Sequence, residues 1–417
     1  MKIVVTGQTD LRLLADLLDA PTDSPVGMGG VPPVHEIRKL VERGHEVVLV
    51  TLDPTIDEEV VLRGPGLTVH VGPCRPRRAI RTMYRAERRY LSTTIRSIDP
   101  DVVHAHWTYE YALAALDAGP PVVVTIHDAP LRIVRWNLPR HGSGSRLRRV
   151  AQTAHWVLKA SMAWRVARRS RFNIAVSPHT RDHFERALRC RGEVETIPNL
   201  MDPAAWSHPD GSEPTAWDPA TRPFRCVAVL GTWGELKNGK VLLEAFARLR
   251  ASGLDARLQL VGSDFGPDGE AARWAEQHGL STDVEFVGPL TNVAVTRLLG
   301  SADLLVHPSR EEACGMVITE AQLASTAVIG GSNSGGVAWT LGFGVAGVLV
   351  DIASPERLAD AMNGLAREHG RRDELARAGH FLAVRRHEPD AVVDRIEAAL
   401  RRSMAGSGRA VRRRRTP

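Results

Sequence analysis

The sequence predicts an α/β protein built from two doubly wound, Rossmann-like domains that face each other across a cleft. Short apolar runs rich in Val and Ile alternate with helical patterns along the chain, which predicts parallel sheets with helices on both faces. The length of 417 residues fits two large α/β domains, or about three domains of roughly 150 residues. Hydrophobic residues make up 43% and charged residues 24%, a composition that excludes a wholly disordered chain.

Seven strands are predicted in the first half of the chain, each a short apolar run bounded by Gly, Pro or Asp. They are Lys2–Thr6, Glu46–Leu52, Leu67–Val71, Val102–His106, Pro121–Ile126, Phe172–Val176 and Val194–Ile197. Between the first two strands, Val34, Ile37, Leu40 and Val41 mark one face of a helix, and Gly44 ends that helix. The first half therefore begins with a strand–helix–strand unit.

The second half repeats this alternation after a proline-rich boundary at residues 202–222. Its predicted strands are Arg225–Leu230, Ala256–Val261, Val284–Val287, Leu304–His307, Ala327–Ile329 and Gly347–Val350. We therefore expect one domain at residues 1–201 and another at residues 202–385. An apolar face that includes Val392 and Ile396 predicts a helix at about residues 386–405 that packs back on the first domain. Residues 406–417 are expected to be a disordered basic tail.

Basic residues are concentrated in two stretches of the first half. Between Arg75 and Arg96 there are eight arginines and one acid, Glu87, and between Ala129 and Arg181 there is no Asp or Glu. The formal net charge is +6. The first half is therefore expected to present a positive face to an anionic substrate or an acidic lipid surface. Nucleic acid is not expected as a partner, because the clusters lack a recognised binding module.

Cysteine usage and hydropathy predict a reduced, cytoplasmic protein. The cysteines, of which there are 4, are scattered singly, so neither a disulfide framework nor a zinc site is indicated. There is no apolar run of about 18 residues that would form a transmembrane helix. The start of the chain, MKIVVTG, lacks the apolar core of a signal peptide.

The segment from His307 to Trp339 contains the most informative residues. A predicted strand ends at His307, and two carboxylates, Glu312 and Glu320, follow eight residues apart. Gly315 lies between them at the start of an apolar helical run, where free helix amides favour phosphate. Glu320 would lie about a turn and a half inside that helix with its side chain tilted back. A diphosphate at the helix start would then have one carboxylate for sugar hydroxyls and one for ribose hydroxyls.

This segment resembles the retaining family-4 glycosyltransferases of the GT-B fold, whose signature is E-x7-E followed by a small-residue turn. Glu312 and Glu320 match the two glutamates within a P-S-x-x-E-x-x-G-x-x-x-x-E-A frame, and Ser334-Gly335-Gly336 matches the later turn. The resemblance covers about residues 1–400. It implies an N-terminal acceptor domain and a C-terminal donor domain that uses a nucleotide-sugar as co-substrate, with no further cofactor.

In the first half, three segments match landmarks of this family. The loop Gly27–Gly30 resembles the glycine loop that meets the donor diphosphate, which assigns Gly29 and Gly30 to donor binding. DVVHAH, ending at His106, resembles the strand whose second histidine approaches the acceptor or the sugar. TIHD resembles the segment whose histidine, here His127, reaches the transferred sugar. The predicted acceptor-binding residues are His106, Trp107, His127 and Asp128.

In the second half, the family usually carries an arginine and then a lysine that neutralise the diphosphate. Lys237 matches the lysine, but Thr232 and Trp233 occupy the place of the arginine. The leaving group develops negative charge in the transition state, so nearby cations increase the reaction rate. Lys240 or Arg310 could substitute for the missing arginine. The predicted donor-binding residues here are Gly231, Thr232, Lys237, Gly288, Leu290, Glu312, Cys314, Gly315, Met316, Val317 and Glu320.

The resemblance also implies a mechanism without a metal ion or an enzyme nucleophile. The sequence has no D-x-D pair in a context suited to binding a metal ion and a diphosphate. GT-B proteins use helix dipoles and basic side chains in place of that metal ion. The acceptor attacks from the face that the nucleotide leaves, and the departing phosphate takes the acceptor proton. The predicted catalytic residues are Glu312, which orients the sugar, His127, which supports it, and Lys237, which takes the charge.

Three functions follow from the sequence. The first is a retaining transferase that moves a sugar from a UDP-sugar, or a GDP-sugar, to a small polar acceptor such as an aminocyclitol, a thiol or a sugar phosphate. The segments ACGMVITEAQ and SGGVAW and the arginine-rich composition resemble those of actinobacterial enzymes of antibiotic or other secondary-metabolite biosynthesis. The second is a membrane-associated transferase acting on a phospholipid or polyprenyl phosphate, with Trp136, Trp156 and Trp164 as interfacial anchors. The third is a GT-B pseudo-glycosyl coupler or epimerase. A monomer or homodimer is expected.

Overall fold

The computed structural model of the protein describes residues 1–19, 25–75, 79–138, 146–203 and 217–414. These residues divide into two compact units. Unit 1 comprises Met1–Val134, Ala151–Met201 and the chain from His387 onward, and unit 2 comprises Arg135–Val150 and Asp202–Arg386. The described residues of Arg135–Val150, which we predicted to lie in the first domain, therefore group with unit 2. Trp136, for example, lies under the guanidinium of Arg310, 5.2 Å from its ring centre.

The described part of unit 1 contains an eight-stranded sheet of order β3-β4-β2-β1-β5-β6-β7-β8. Its neighbouring strands pair in parallel except β3 and β4, which form an antiparallel edge. The strands are β1 Lys2–Thr6, β2 Glu46–Asp53, β3 Val60–Gly64, β4 Leu67–Pro73, β5 Val102–His106, β6 Val122–Ile126, β7 Phe172–Ala175 and β8 Glu193–Thr196.

Helices cover both faces of this sheet. Val4 of β1 packs into one apolar cluster, whereas Ile3 and Val5 pack into another, because alternate residues of a strand point to opposite faces. All three side chains are fully buried, and burial of one such side chain stabilises the fold by about 1.5–3 kcal/mol. The helices are α1 Pro32–Glu42, α2 Arg85–Ile98, α3 Glu110–Ala118, α4 Pro130–Trp136, α5 Arg146–Arg169 and α6 Pro178–Asp182, with a 3-10 helix at Leu11–Leu17.

Unit 2 contains, within its described residues, a six-stranded parallel sheet of order β11-β10-β9-β12-β13-β14. The strands are β9 Phe224–Val229, β10 Ala256–Val261, β11 Val284–Gly288, β12 Leu304–His307, β13 Ala327–Gly331 and β14 Val348–Val350. The helices are α7 Gly239–Ala251, α8 Glu270–Gln277, α9 Asn292–Ser301, α10 Met316–Leu323, α11 Val337–Thr340, α12 Pro355–Arg367 and α13 His369–Arg386.

The last helix, α14 Pro389–Arg414, belongs to unit 1. Its residues Val392, Val393, Ile396 and Leu400 are buried in the same cluster as Ile3 and Val5. Arg43 ties the helix to α1 through Asp394, at 2.5 Å, and Glu397, at 3.3 Å. Its backbone is helical to Arg414, where a disordered tail was expected from residue 406, and residues 415–417 lie outside the described residues.

Each strand that the sequence predicts is present within two residues of its expected ends, and one further strand, β3, was not predicted. A Gly-Pro-Gly turn joins β3 to β4, and only Leu62 of its five residues is buried, so its apolar pattern is weak. Most of the predicted linker, residues 204–216, lies outside the described residues. Among the described residues, no helix is both long and apolar enough to cross a bilayer.

Candidate active site

Two groups of polar side chains lie at the carboxyl ends of the parallel strands, one group in each unit. His106 is the last residue of β5 in unit 1, and His307 is the last residue of β12 in unit 2. Loops at this end of a doubly wound sheet bind ligands in α/β proteins. Each group is therefore a candidate ligand-binding site within its own unit.

In unit 2, a lysine and a histidine converge on one carboxylate. The Nζ atom of Lys237 donates to Glu312 Oε1 at 2.6 Å, and His307 Nε2 lies 3.3 Å from the same oxygen. The side chain of Glu312 is 17% exposed, whereas that of His307 is 3% exposed. Glu312 is thus partly open to a ligand and is backed by a buried ring.

The charge state of Glu312 follows from these neighbours. Burial alone raises the pKa of its carboxyl, but the Lys237 ammonium and the His307 ring more than offset that effect and hold the pKa well below its usual range. Glu312 is therefore ionised at neutral pH. An ionised carboxylate accepts hydrogen bonds and has no proton to give, so it can orient hydroxyl groups but cannot act as a general acid.

Helix α10 begins beside this carboxylate. Gly315 stands at its N-cap with a φ of 72°, a left-handed conformation that glycine adopts without the penalty of a Cβ. Among the described residues no side chain caps this N-terminus, which leaves the amides of Met316 and Val317 for an anion, while Ile318 N–H donates to the carbonyl of Gly315. Glu320 lies farther along the helix and is half-buried, and burial raises its pKa to about 7. The helix therefore places an anion-binding N-terminus between two carboxylates of different charge state.

The turn at Ser334-Gly335-Gly336 supports the Glu312 segment from behind. The N–H of Gly336 donates to the carbonyl of Glu312 at 2.8 Å. A Cβ at Gly336 would lie 1.9 Å from the carbonyl oxygen of Ala313, so a side chain is not tolerated at this close approach. The small-residue turn that the sequence singles out is therefore a structural support for the first glutamate.

The place of the missing arginine is occupied by a core residue. Trp233 is 7% exposed and packs in the apolar cluster of unit 2, with its ring 5.8 Å from Phe265 and 5.5 Å from Trp274. Lys240 lies over the ring of Trp274 at 5.6 Å and pairs with Glu235. It is therefore engaged away from Glu312.

Arg310 is the better placed of the two predicted substitutes. Its guanidinium donates to the side chain of Asn238, the residue after Lys237, at 2.7 Å. Arg310 also lines a pocket of about 150 Å³ with Trp136, Ser334 and Asp351. A second cation therefore lies next to the lysine, although it comes from a different loop.

The other predicted donor-binding residues lie in loops at the same end of the sheet. Gly231 and Thr232 follow β9 and are exposed, Gly288 ends β11, and Leu290 is half-buried two residues later. The loop after β10 ties these segments together, since Ser263 N–H donates to Gly231 and Gly262 N–H donates to Gly288. Cys314 is buried before the helix start, and Met316 and Val317 are half-buried in its first turn.

In unit 1, the glycine loop is held by the segment after β1. Asp10 N–H donates to the carbonyl of Gly30 at 2.9 Å, and Met28 N–H donates to the carbonyl of Thr9 at 3.2 Å. Gly27 N–H donates to the carboxylate of Asp53 at 2.6 Å. Gly29 and Gly30 therefore lie in an anchored loop directly before α1.

His106 and His127 contact each other, as part of a chain that the sequence did not predict. His106 Nδ1 lies 2.9 Å from His127 Nε2, and the ring of Trp107 lies 4.6 Å from that of His127. Behind them, Glu36 Oε1 is hydrogen bonded to His104 Nδ1 at 2.5 Å. Glu36 lies on the buried face of α1 together with Pro33, Ile37 and Leu40. An acidic residue on an apolar helical face is the sequence feature that could have pointed to this chain of side chains.

Asp128 belongs to a second buried network. The hydroxyl of Tyr109 donates to Asp128 at 2.7 Å, and burial raises the pKa of Asp128 to about 6 against the opposing effect of that bond. Lys159 pairs with Glu110 at 2.7 Å and lies 4.5 Å from the ring centres of Tyr84 and Tyr109. The predicted acceptor residue Asp128 is thus rigidly held. Tyr109 and Lys159 were not predicted.

Among the described residues, Glu36, His104 and His106 form one group that could hold a metal ion, with ligand atoms within 4.8 Å of one another. However, Glu36 Oε1 and His104 Nδ1 are 2.5 Å apart. Two ligands on a tetrahedral zinc ion, each at about 2.0–2.1 Å, would be roughly 3.3 Å apart. The observed spacing is that of a hydrogen bond, so these side chains bind each other.

Two protein-family models match this chain. Residues 34–205 match the family described as Glycosyltransferase Family 4, and residues 223–380 match the family described as Glycosyl transferases group 1. The first match includes His106 and His127, and the second includes Lys237, Glu312 and Glu320. Both groups of polar side chains therefore lie within the matched regions.

Similar curated proteins include the D-inositol 3-phosphate glycosyltransferases of Segniliparus rotundus and Corynebacterium urealyticum. The first is 32% identical over 193 residues, which is 45% of this chain and 42% of that protein. The second is 30% identical over 158 residues, which is 36% of this chain and 37% of that protein. The chain thus matches about two fifths of the length of these relatives.

Similar solved structures cover nearly the whole chain. Sucrose-phosphate synthase from Thermosynechococcus elongatus has a TM-score of 0.73 at 16% identity and covers 97% of this chain and 100% of that one. Anabaena HepE in complex with UDP and glucose has a TM-score of 0.65 at 20% identity and covers 96% and 99%. At these identities the likeness establishes the fold, and the predicted pair of Rossmann-like domains is confirmed.

Proposed function

We propose that this chain, which belongs to the glycosyltransferases of the GT-B fold and joins a family 4 domain to a group 1 domain, transfers a sugar from a nucleotide-sugar to a small polar acceptor. The donor is a UDP-sugar in this proposal, with a GDP-sugar as the alternative. The transfer retains the configuration of the sugar. The acceptor is a cyclitol or sugar carrying a phosphate.

The observation that carries this proposal is the convergence of Lys237, Glu312 and the N-terminus of α10. A nucleotide-sugar presents a dianionic diphosphate flanked by two sets of hydroxyl groups. The lysine and the helix amides supply positive charge for the diphosphate, and the two glutamates supply acceptors for hydroxyl groups on either side. In this proposal, Lys237 and the dipole of α10 bind the diphosphate, and Glu312 and Glu320 bind the hydroxyl groups on either side of it.

Arg310 is assigned to the donor diphosphate in this proposal as the replacement for the missing arginine. Its bond to Asn238 places a guanidinium beside the Lys237 loop as the second cation. A planar guanidinium can bind a phosphate through two N–H groups, whereas lysine acts as a point charge. Arg310 and Lys237 therefore both bind the diphosphate and both stabilise the negative charge that it gains as it leaves.

In the proposed reaction, the acceptor oxygen forms a bond to the anomeric carbon as the bond from that carbon to the diphosphate oxygen breaks. The acceptor proton moves to the departing diphosphate, so no base of the protein is needed. Lys237 and the amides of α10 stabilise the charge on the leaving group, an effect typically worth several kcal/mol. Glu312, which is ionised, accepts hydrogen bonds from the sugar.

The choice of acceptor and nucleotide rests on the relatives. Matched proteins are named D-inositol 3-phosphate glycosyltransferases, and matched structures contain UDP or UDP-glucose. The positive charge of the first half favours an anionic acceptor. A small acceptor of this kind is also compatible with a role in actinobacterial secondary metabolism. We also propose metal-independent transfer, in which Lys237 and the N-terminus of α10 supply the positive charge for the diphosphate.

A thermal-shift and hydrolysis screen against UDP-, GDP- and dTDP-sugars in the presence of EDTA tests the proposal. A donor at about 100 times its Kd should stabilise the protein by about 2.7 kcal/mol, and its sugar should be slowly released. Glu312→Gln should abolish sugar release while the protein stays folded, with a lower melting temperature in the absence of donor because the charged pair with Lys237 is lost. The matched control is Glu235→Gln, a loop carboxylate that pairs with Lys240.

Retained sugar release in Glu312→Gln would refute the assignment of the site. Stabilisation by nucleotides without any sugar release would favour a pseudo-glycosyl coupler or an epimerase.

The second candidate function is transfer to a lipid acceptor at a membrane surface. Helix α5 exposes Val150, Val157 and Trp164, which are seven residues apart and each about half exposed, along one face of a helix without acidic residues. Arg85, Arg88, Arg89 and Arg96 also line an open groove on α2. Co-sedimentation with anionic but not neutral liposomes at physiological salt would support this candidate, and no co-sedimentation would end it.

A further inference from the structure

A linear chain of side chains runs through unit 1 from Glu36 to His127. Glu36 Oε2 lies 3.3 Å from His106 Nε2, and His106 Nδ1 lies 2.9 Å from His127 Nε2. Glu36 and His106 have side chains that are 3% exposed, and His127 is half-buried. The contact between Glu36 and His106 has ion-pair distance and does not meet strict hydrogen-bond geometry.

Both histidines of this chain are neutral at physiological pH. Burial lowers the pKa of His106, with Glu36 opposing the effect, and burial lowers the pKa of His127 well below its usual value. A neutral histidine has one protonated and one unprotonated ring nitrogen. Two arrangements of the 2.9 Å contact are therefore possible, one with the proton on His106 Nδ1 and one with the proton on His127 Nε2.

Glu36 decides between these arrangements. Burial raises the pKa of its carboxyl, but its interaction with His104, which includes the 2.5 Å hydrogen bond to Oε1, is the main effect that outweighs burial and holds the pKa below its usual range, so the group is ionised. A carboxylate 3.3 Å from His106 Nε2 attracts an N–H and repels a lone pair, whether or not the contact is collinear. His106 therefore carries its proton on Nε2, and its Nδ1 is left as an acceptor for the proton on His127 Nε2.

We propose that Glu36 is a positioning residue that fixes, through His106, the tautomer of His127, so that His127 presents the lone pair of Nδ1 to the substrate. Within the described part of the chain, His127 Nδ1 makes no hydrogen bond to another residue. The nitrogen that faces away from the chain is thus a hydrogen-bond acceptor. It accepts from a hydroxyl group of the bound sugar, and this assignment of a ligand rests on the proposed function.

The position of Glu36 is itself fixed on its other side. Glu36 Oε1 accepts from His104 Nδ1 at 2.5 Å, and His104 Nε2 lies 2.7 Å from the hydroxyl of Thr125. The two carboxylate oxygens therefore serve two different histidines. This division offers a matched control, because Thr125→Val removes only the hydroxyl contact of His104 Nε2 and leaves the direct contacts of Glu36 with His104 and His106 in place.

Nuclear magnetic resonance of the full-length protein with ¹⁵N-labelled histidine rings tests the tautomer directly. Two-bond ¹H–¹⁵N correlation spectra separate protonated from unprotonated ring nitrogens, and His106→Asn and His127→Asn identify the two spin systems. In the wild type we expect His127 protonated on Nε2 and unprotonated on Nδ1. A proton on His127 Nδ1 in the wild type would overturn the inference without recourse to any variant.

Glu36→Leu tests whether the carboxylate is the cause. We expect the His127 signal to move to the Nδ1-protonated form or to a mixture of both forms, while Thr125→Val keeps the wild-type tautomer. An unchanged His127 tautomer in folded Glu36→Leu would overturn the role of Glu36. So would one equivalent of metal in the purified wild type that is lost in Glu36→Leu, since an ion would then orient both rings.

The kinetic consequence is measured separately. With the donor found in the screen, Glu36→Leu should lower kcat by about 10–100-fold, the range known for residues that orient metal-bound histidines, with little change in donor KM. Thr125→Val should keep the wild-type kcat. A shifted tautomer with unchanged kcat would overturn the positioning role. Wild-type protein that turns over no nucleotide-sugar would refute the proposed function and leave the tautomer result standing.

Discussion

Replacement of Glu320 by glutamine should stabilise unit 2 in a pH-dependent way. Burial raises the pKa of this carboxyl from its ordinary value of 4.5 to about 7. A carboxyl whose pKa is raised by folding favours the folded state at low pH, and this contribution is lost as the pH rises from the unfolded to the folded pKa. The wild type should therefore lose stability relative to Glu320→Gln between about pH 4.5 and pH 7.

The size of the effect follows from the same two values. Each pKa unit is worth about 1.4 kcal/mol, so the full rise corresponds to up to about 3 kcal/mol of unfolding free energy above pH 7. For a domain the size of unit 2, 1 kcal/mol changes Tm by roughly 2–4 °C. Glu320→Gln should thus raise the Tm of unit 2 by up to about 12 °C at high pH and leave it nearly unchanged at low pH.

The assay is differential scanning calorimetry of both proteins from about pH 5 to about pH 8, without ligand. Glu276→Gln, an exposed glutamate at the end of α8, serves as the control for the loss of one negative charge from unit 2. A constant difference in Tm between Glu320→Gln and the wild type across this range would refute the reasoning. So would a gain of equal size in Glu276→Gln.

Three further predictions concern the donor. The affinity for a UDP-sugar, whose diphosphate keeps its charge over this range, should rise about tenfold from pH 6 to pH 8 as Glu320 ionises, and isothermal calorimetry on Glu320→Gln should show a flat profile. Lys237→Ala should lower kcat by about 10²–10³-fold in steady-state assays, whereas Lys240→Ala should keep a kcat near that of the wild type. An equal loss of kcat in both variants would indicate a non-specific effect of charge. Arg310→Ala should weaken donor binding and change the fluorescence of Trp136, and unaltered affinity would exclude Arg310 as the second cation.

Much of the fold could be predicted from the sequence because buried parallel strands are short and almost wholly apolar. The residues Ile3, Val4 and Val5 are all fully buried, so no alternation with polar residues obscures the strand. The strand that was missed, β3, is an antiparallel edge whose residue Val61 is exposed. The apolar residues of β3 are explained by the pairing of this strand with β4. The hydrophobic pattern of β3 alone does not reveal that pairing.

The site was predictable where the chemistry depends on spacing within one segment. Glu312, Gly315 and Glu320 follow one another along a strand end and a helix, so sequence distance fixes their arrangement. Arg310 and Asn238, in contrast, are 72 residues apart, and only the folded sheet brings them together. The environment of Trp233 was likewise hidden, because its burial depends on Phe265 from the loop after β10 and on Trp274 from α8.

Unit 1 is discontinuous in the chain, and this has a consequence for how the protein is made. The cluster around Ile3 and Val5 is completed by Val393 and Leu400 of α14. During synthesis the N-terminal sheet leaves the ribosome with that face uncovered, while unit 2 has all of its own strands before α14 is translated. Unit 2 can therefore finish folding first, and unit 1 must wait for the last helix. Loss of α14 would accordingly damage the half of the protein that was synthesised earliest.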